Sequence, residues 1–445
     1  MNQIAILSVG LFLPFLATTD DNSKAETENH RIQIHGQSTL ILQNELPFHS
    51  PYKGANSFQS RRQTELSDTY TIYLGTRLKP NLDFYLNPEM ARGGGLSDAL
   101  GIAGYINGDV IRNPSLSQSP YIGRGFIRYW IQTGKGSDHQ EDGINQIAGD
   151  IPNHRLVLTA GKFGSNDIFD TNRYAGNTRT QFMNWDLINN AAYDYAADTR
   201  GYTMGISAEW FQPTYIVRLG TFQMPSVANG IQLDGRINQA HGDQVEVETH
   251  PHLISKATPA TLRLLGYRNV ARMGDYEAAL QLGTQTHTPP DITLTRQDGR
   301  VKYGFGASFE QPLNTDGTTG IFARAGWNDG ATESFAYTEA EQSLSIGLQI
   351  TGRQWHRPND VFAVALAQNG LSKAHRNYLE AGGSGFILGD GKLSYGPEQL
   401  LEAYYNYSLG RGLTLGPDIQ IIQNPGYNHD RGPVPILGFR LHAEF

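Results

Sequence analysis

Apolar and polar residues alternate with a period of two in segment after segment, the pattern of a strand with two unlike faces. In Gly201–Trp210, Tyr202, Met204, Ile206, Ala208 and Trp210 share one face, opposite Gly201, Thr203, Gly205, Ser207 and Glu209. In Ser343–Thr351, Leu344, Ile346, Leu348 and Ile350 oppose Ser343, Ser345, Gly347, Gln349 and Thr351. Leu401, Ala403, Tyr405, Tyr407 and Leu409 oppose Glu402, Tyr404, Asn406 and Ser408. Tyr70, Ile72, Leu74 and Leu78 oppose Thr71, Tyr73, Gly75 and Arg77. These runs are ~9–11 residues, the length with which a tilted strand crosses a bilayer. No interior apolar run approaches the ~20 residues of a membrane helix; Phe362–Ala367 is typical of the longest.

Alternation alone fits a soluble sandwich as well as a membrane barrel, which reverses the faces and puts lipid outside and water inside. Aromatic residues tilt the choice. Tyr70, Tyr202, Trp210 and Tyr407 stand at the ends of apolar faces, as an interfacial girdle does. The last segment is sharper. Leu437, Phe439, Leu441, Ala443 and Phe445 form one face, and Gly438, Arg440, His442 and Glu444 the other. A final strand ending in Phe, in phase with its apolar face, resembles the signature read by the outer-membrane barrel-assembly machinery, so Phe445 is expected to meet that partner. The fold class expected is all-β: one closed antiparallel transmembrane barrel with long extracellular loops and short periplasmic turns. Long loops are expected at Asn44–Glu65, Asn87–Gln118, Gly134–Pro152, Gly164–Asp198, Gln223–Pro259 and Ser372–Gly396. Asn184–Ala197 has the composition of a short helix within its loop.

Ile4–Ala17 is an apolar run of signal-peptide length. Residues 1–25 are therefore expected to be a signal peptide and a disordered mature N-terminus, and 26–445 one barrel domain. The chain has no Cys, which excludes a disulfide scaffold and Cys-ligated metal. Its 35 basic and 43 acidic residues leave a net charge of −8, which argues against a nucleic-acid binder. Glycine, 50 of 445 residues, exceeds the usual ~7%. Gly391-Lys392 lacks the rest of a phosphate loop, and Gly383-Ser384-Gly385 lacks the second flanking glycine of a nucleophile elbow. His250-Pro251-His252 has no third ligand at useful spacing. Ser408 and His442 fall on polar faces, but nothing singles them out as a lipase pair. No enzyme, cofactor or metal is expected.

Several segments resemble the carbohydrate-selective porin family (OprB-like). They are LNPEMARGGGLSDALGIAGYINGDVIR at 86–112, PYIGRGFIRYW at 120–130 and FMNWDLINNAAYDYAADTRGYTMG at 182–205. HGQSTLILQNELPFHSPYKGANSF at 35–58 and the stretch from SYGPEQLLEAYYNYSLGRG at 394 to NPGYNHDRGPVPILGFRLHAEF at the end complete the set. Residues 224–300 carry no matching motif. The resemblance implies a 16-stranded barrel in the bacterial outer membrane, passing carbohydrates and other small hydrophilic solutes by facilitated diffusion. Sugars are named by the resemblance only; the residues themselves leave open a general or differently selective porin. Outer-membrane lipid and a homo-oligomer are further partners consistent with this class.

Parity then marks the lumen. Arg124, Phe126, Arg128 and Trp130 share one face of their strand, and an Arg facing lipid at mid-depth costs ~2–4 kcal/mol. Both arginines are therefore expected inside, and Trp130 with them. Tyr73 and Arg77, Asp83 and Tyr85, Glu402 and Tyr404, and Arg440 are inward by the same count. Loops 88–118 and 164–198, rich in Gly, Asn, Asp and Arg, are expected to fold in and narrow the passage. The plainer role, lumen residues satisfying one another across the wall, stays open for each side chain.

Overall fold

The computed structural model describes residues 32–110, 116–335 and 339–445. The signal-peptide expectation for residues 1–25 lies outside them. Strands follow in chain order: β1 (Ile32–Glu45), β2 (Gln63–Lys79), β3 (Leu82–Gly93), β4 (Tyr121–Gln132), β5 (Ser137–Gln140), β6 (Gly149–Pro152), β7 (Arg155–Phe163), β8 (Thr203–Phe211) and β9 (Tyr215–Gln223). Then come β10 (His241–Thr249), β11 (Thr261–Met273), β12 (Gln297–Pro312), β13 (Gly320–Asn328), β14 (Gln342–Gly352), β15 (Arg357–Gly370), β16 (Glu398–Gly410), β17 (Leu413–Gln423) and β18 (Val434–Glu444). All but β5 and β6 form one closed sheet of 16 strands; those two pair with each other as a separate hairpin. Each barrel strand pairs antiparallel with the next one in the chain, β4 with β7. Closure is made by β18 on β1, with Gln37 opposite Glu444 and Glu45 opposite Ile436.

The faces have membrane polarity. Leu344 and Ile346 on β14 are 58% and 57% exposed, while Ser345 between them is 4% exposed. Leu366, Ile72 and Phe439 are also exposed, whereas Glu402, Gln420 and Arg440 are buried inside. A soluble sheet would reverse this, and a continuous apolar outer belt demands hydrocarbon around it. Phe445 continues that belt, 68% exposed, with its backbone paired to Gly36.

Antiparallel neighbours alternate in direction, so the connections sort to two ends. The short ones, such as 79–82, 211–215, 352–357 and 410–413, share an end with both termini of the barrel, the turn end. The long ones, including 93–121, 163–203 and 370–398, gather at the opposite, loop end. Three helices, α1 (Trp185–Ile188), α2 (Tyr276–Thr286) and α3 (Lys373–Glu380), lie in these loops.

Four expectations are corrected. Gly134–Pro152 is long but belongs to the turn end, because β4 is the fourth barrel strand and runs toward the termini. Gln223–Pro259 is not one loop: it contains β10, whose inward Gln244, Glu246 and Glu248 leave only Val245 and Val247 to mark the lipid face. The helix expected over Asn184–Ala197 is the single turn α1, capped by Asn184 accepting from the Asp186 N–H. Tyr202 is no girdle residue; it precedes β8, is buried, and donates its hydroxyl to Glu89 in the lumen.

Candidate functional site

The buried apolar core sits inside the barrel and is built largely from inward loops, including Ile102, Tyr105, Ile106, Phe169, Phe182, Leu187 and Tyr195. Loop 93–121 is tied to the wall by its backbone. The Ala103 N–H donates to Glu398, and the Ile106 carbonyl accepts from Gln43 and Gln420. Loop 163–203 is tied at more points. Glu402 accepts the Met183 and Asn184 N–H groups, and Arg324 donates to the carbonyls of Leu187 and Asp170 at 2.7 and 3.0 Å. Arg440 donates to the carbonyls of Thr178 and Gln181, and Asn406 to that of Thr180. Phe182 wedges between Phe322 and Tyr404, ring centroids 5.7 and 5.0 Å away.

The two loops also hold each other. Trp185 N–H donates to the Tyr105 carbonyl and Gly108 N–H to the Met183 carbonyl, both at 2.8 Å. Gly104 permits this contact: a Cβ there would lie 2.0 Å from Asp186 Oδ1, closer than any real contact. Burial pushes the Asp186 carboxyl up to about 7, against a hydrogen bond from Asn369.

Between these loops and the walls of β1–β4 and β7 lies a cavity of about 490 Å3. Its hub is Arg179. The guanidinium donates to Asp109 and Glu89 at 2.8 Å each, to Thr71 at 2.7 Å, to Tyr73 at 3.1 Å and to Gln37 at 3.3 Å. Burial pulls its pKa down, but Asp109 and Glu89 outweigh that and hold it well above the ordinary arginine value. Glu89 is saturated: Tyr121, Tyr202 and Thr71 donate to it at 2.6, 2.9 and 2.7 Å. Arg124 forks onto Asp167 at 2.8 and 2.6 Å and lies over the Tyr202 ring. Arg200 covers Tyr121 at 3.7 Å. Arg124, Arg128, Arg179 and Arg200 thus face Glu89, Asp109 and Asp167 around one cavity. Most of these charges are already neutralised by a partner, so a passing solute meets many donors and acceptors and no deep trap. Among the described residues no His, Cys, Asp or Glu cluster has the arrangement of a metal site.

The cavity is closed from the turn end by the β5–β6 hairpin, which folds up into the barrel. Its tip reaches the level of Asn87, midway along β3. Arg77 donates to the carbonyls of Ile147 and Ala148 at 3.2 and 3.1 Å, and Gln33 to that of Gln146 at 3.2 Å. Asn87 donates to Asn145 Oδ1 and Arg128 to the Asn145 carbonyl, both at 2.9 Å. His35 meets Asp142 at 2.7 Å.

The ten residues picked by parity all point inward but divide into three groups. Tyr73, Arg124 and Arg128 line the cavity. Arg77, Asp83, Tyr85 and Trp130 form a buried cluster beneath it: Arg77 forks onto Asp83 at 3.0 and 3.3 Å, Tyr85 donates to Asp83, and Arg77 lies over Trp130. Glu402, Tyr404 and Arg440 sit behind loop 163–203 and grip it, away from the cavity. Parity missed Glu89, although the count from Asp83 and Tyr85 through Asn87 reaches it. No local pattern marks Arg179 or Asp109, which depend on how two loops meet.

The chain matches the family model described as carbohydrate-selective porin, OprB family, over residues 75–445. Among curated proteins no sequence matches it. Its fold is similar to OprB of Pseudomonas putida, solved at high pH, with a TM-score of 0.70 and 16% identity over 93% of this chain and 94% of that one. Salmonella typhi OmpF in complex with daunomycin follows at a TM-score of 0.48 and 7% identity, covering 94% and 98%. The DcaP channel of Acinetobacter baumannii is at 0.46 and 10%, covering 93% and 97%. With the match spanning 371 of 445 residues, from the second half of β2 through the last strand, this chain belongs to the carbohydrate-selective porin, OprB family.

Proposed function

We propose that this outer-membrane barrel passes small carbohydrates by diffusion through the cavity between loops 93–121 and 163–203 and the β5–β6 hairpin, with Arg124, Arg128 and Tyr73 in contact with the solute. The carrying observation is a polar, aromatic-edged cavity inside a barrel of this family. A sugar sheds part of its hydration on entering a narrow passage, and arginine donors, carboxylate acceptors and Tyr hydroxyls replace it. Because Arg124 and Arg179 are held by carboxylates, each exchange is between partners of similar strength, which keeps residence short. The apolar outer belt faces lipid, and the exposed Phe445 is free to be read by assembly machinery. The chain acts as a channel.

Liposome swelling with a graded sugar series tests this reading. Monosaccharides are expected to enter faster than amino acids of matched size. Equal rates for both would replace the sugar channel with a general pore. Arg128→Ala is expected to alter single-channel conductance and ion selectivity; if both stay at wild-type values, Arg128 does not line the narrow zone.

A further inference from the structure

The arginines around the cavity are not equivalent. Arg124 is forked onto Asp167, and Arg179 is spread over two carboxylates and three further acceptors. Arg128 has no carboxylate within ion-pair distance among the described residues, because Asp83, its neighbour on β3, is taken by Arg77. One of its nitrogens donates to the Asn145 carbonyl, and the other two donate to nothing among the described residues. Asn145, at the hairpin tip, is in the same condition: its Oδ1 accepts from Asn87, while its Nδ2 donates to no described residue. Its backbone sits at φ 53°, the left-handed region where Gly is the usual choice and Asn is tolerated. With Asn there, the turn keeps its shape and also carries an amide. Phe126 lines the cavity beside them, with the Arg128 guanidinium 5.3 Å over its ring.

We propose that the tip of the β5–β6 hairpin is a second selectivity element, in which Asn145 and Arg128 hold uncommitted donors beside the Phe126 ring and bind neutral hydroxylated solutes as they leave toward the turn end. This rests on the carbohydrate-channel reading. The physical reason is competition. A sugar hydroxyl displaces nothing at Asn145 Nδ2 or at the spare Arg128 nitrogens, whereas at Arg124 or Arg179 it must compete with a charge-assisted bond. The donors take hydroxyl oxygens, and the buried Phe126 ring backs the Arg128 guanidinium. The strongest hydroxyl contacts of the passage are therefore assigned to the hairpin end, not to the better-charged hub.

The test compares swelling rates of proteoliposomes for glucose and for a polyol and an amino acid of similar size. The proteins are the wild type, Asn145→Gly and Asn145→Asp. Glycine suits φ 53° and removes the amide; aspartate keeps an acceptor for Asn87 while replacing Nδ2 and engaging the spare Arg128 nitrogens. Both variants are expected to lose about threefold or more of the sugar preference, the scale of one or two hydrogen bonds. Heat-modifiable gel migration verifies the folded barrel, and if the glycine variant does not fold, the aspartate variant decides. Wild-type preference in both variants overturns the proposal, as does loss in the glycine variant alone, which would mean that Asn145 acts only through its acceptor contact with Asn87. A wild-type channel that excludes sugars altogether would instead sink the carbohydrate reading itself.

Discussion

Two segments enter the barrel from opposite ends, and they are held by different physics. Loop 163–203 is buried among side chains of several strands, with Phe182, Leu187 and Tyr195 in the apolar core and Glu402, Arg324 and Arg440 gripping its backbone. The β5–β6 hairpin has one fully buried apolar side chain at its tip, Ile147, while Ile144 is exposed; its other ties to the wall are polar side chains on carbonyls, the Asn87–Asn145 amide contact and one half-exposed His–Asp contact. Apolar burial is worth ~25 cal/mol per Å2, whereas a single hydrogen bond nets ~0.5–1.5 kcal/mol. The loop is a fixed part of the interior. The hairpin is a latched floor whose opening costs far less than unfolding the barrel. The same channel therefore combines a rigid constriction with a more yielding one.

The largest expected effect belongs to the hub on the rigid side. Arg179→Ala leaves Glu89 and Asp109 without their cation and should cost about 3 kcal/mol of barrel stability, the low end for a broken buried pair because the cavity is open to solute. It should also shift reversal potentials toward cation selectivity. Denaturant unfolding of the refolded chain and planar-bilayer recordings measure the two. Glu402→Ala comes next. It strands the Met183 and Asn184 N–H groups, at about 2 kcal/mol, and should raise conductance as loop 163–203 loosens. On the latched side, Gln33→Ala removes the contact to the Gln146 carbonyl. It should leave global unfolding within about 1 kcal/mol of wild type, while amide exchange at 144–148 accelerates. A global loss as large as that of Arg179→Ala would erase the contrast.

The smallest effect is one of pH. Asp186 in loop 163–203 has its carboxyl pushed up to about 7 by burial, above the usual aspartate value. The folded loop thus favours the protonated acid. Its contribution is full below the unfolded pKa and is lost as pH rises through 7. Proteolysis of this loop should be slower at pH 5 than at pH 8, and Asp186→Asn should flatten the difference. An Asp186→Asn variant that keeps the wild-type difference between the two pH values would count against this cause.

Much of the wall was legible in the sequence, because a strand between lipid and water must alternate. β14, β16 and β18 read directly, down to the inward Glu402, Tyr404 and Arg440. β10 did not, since two valines among acids give too weak a lipid face. The side of the membrane reached by residues 134–152 depends on counting strands through the whole chain, and one missed strand reverses it. Tyr202 departs from the alternation because the pleat starts one residue later and frees its ring to turn inward. The cavity itself was half legible. Arg124 and Arg128 follow from the cost of charge in lipid, but Arg179 and Asp109 come from loops whose meeting no local period encodes.

Single-channel conductance of the purified chain in a planar bilayer, titrated with glucose, addresses the central claim most directly. A stable open current that falls in a saturable way as the sugar is added is the predicted result. A current that glucose leaves unchanged, apart from the effect of bulk viscosity, would contradict a sugar path through this cavity.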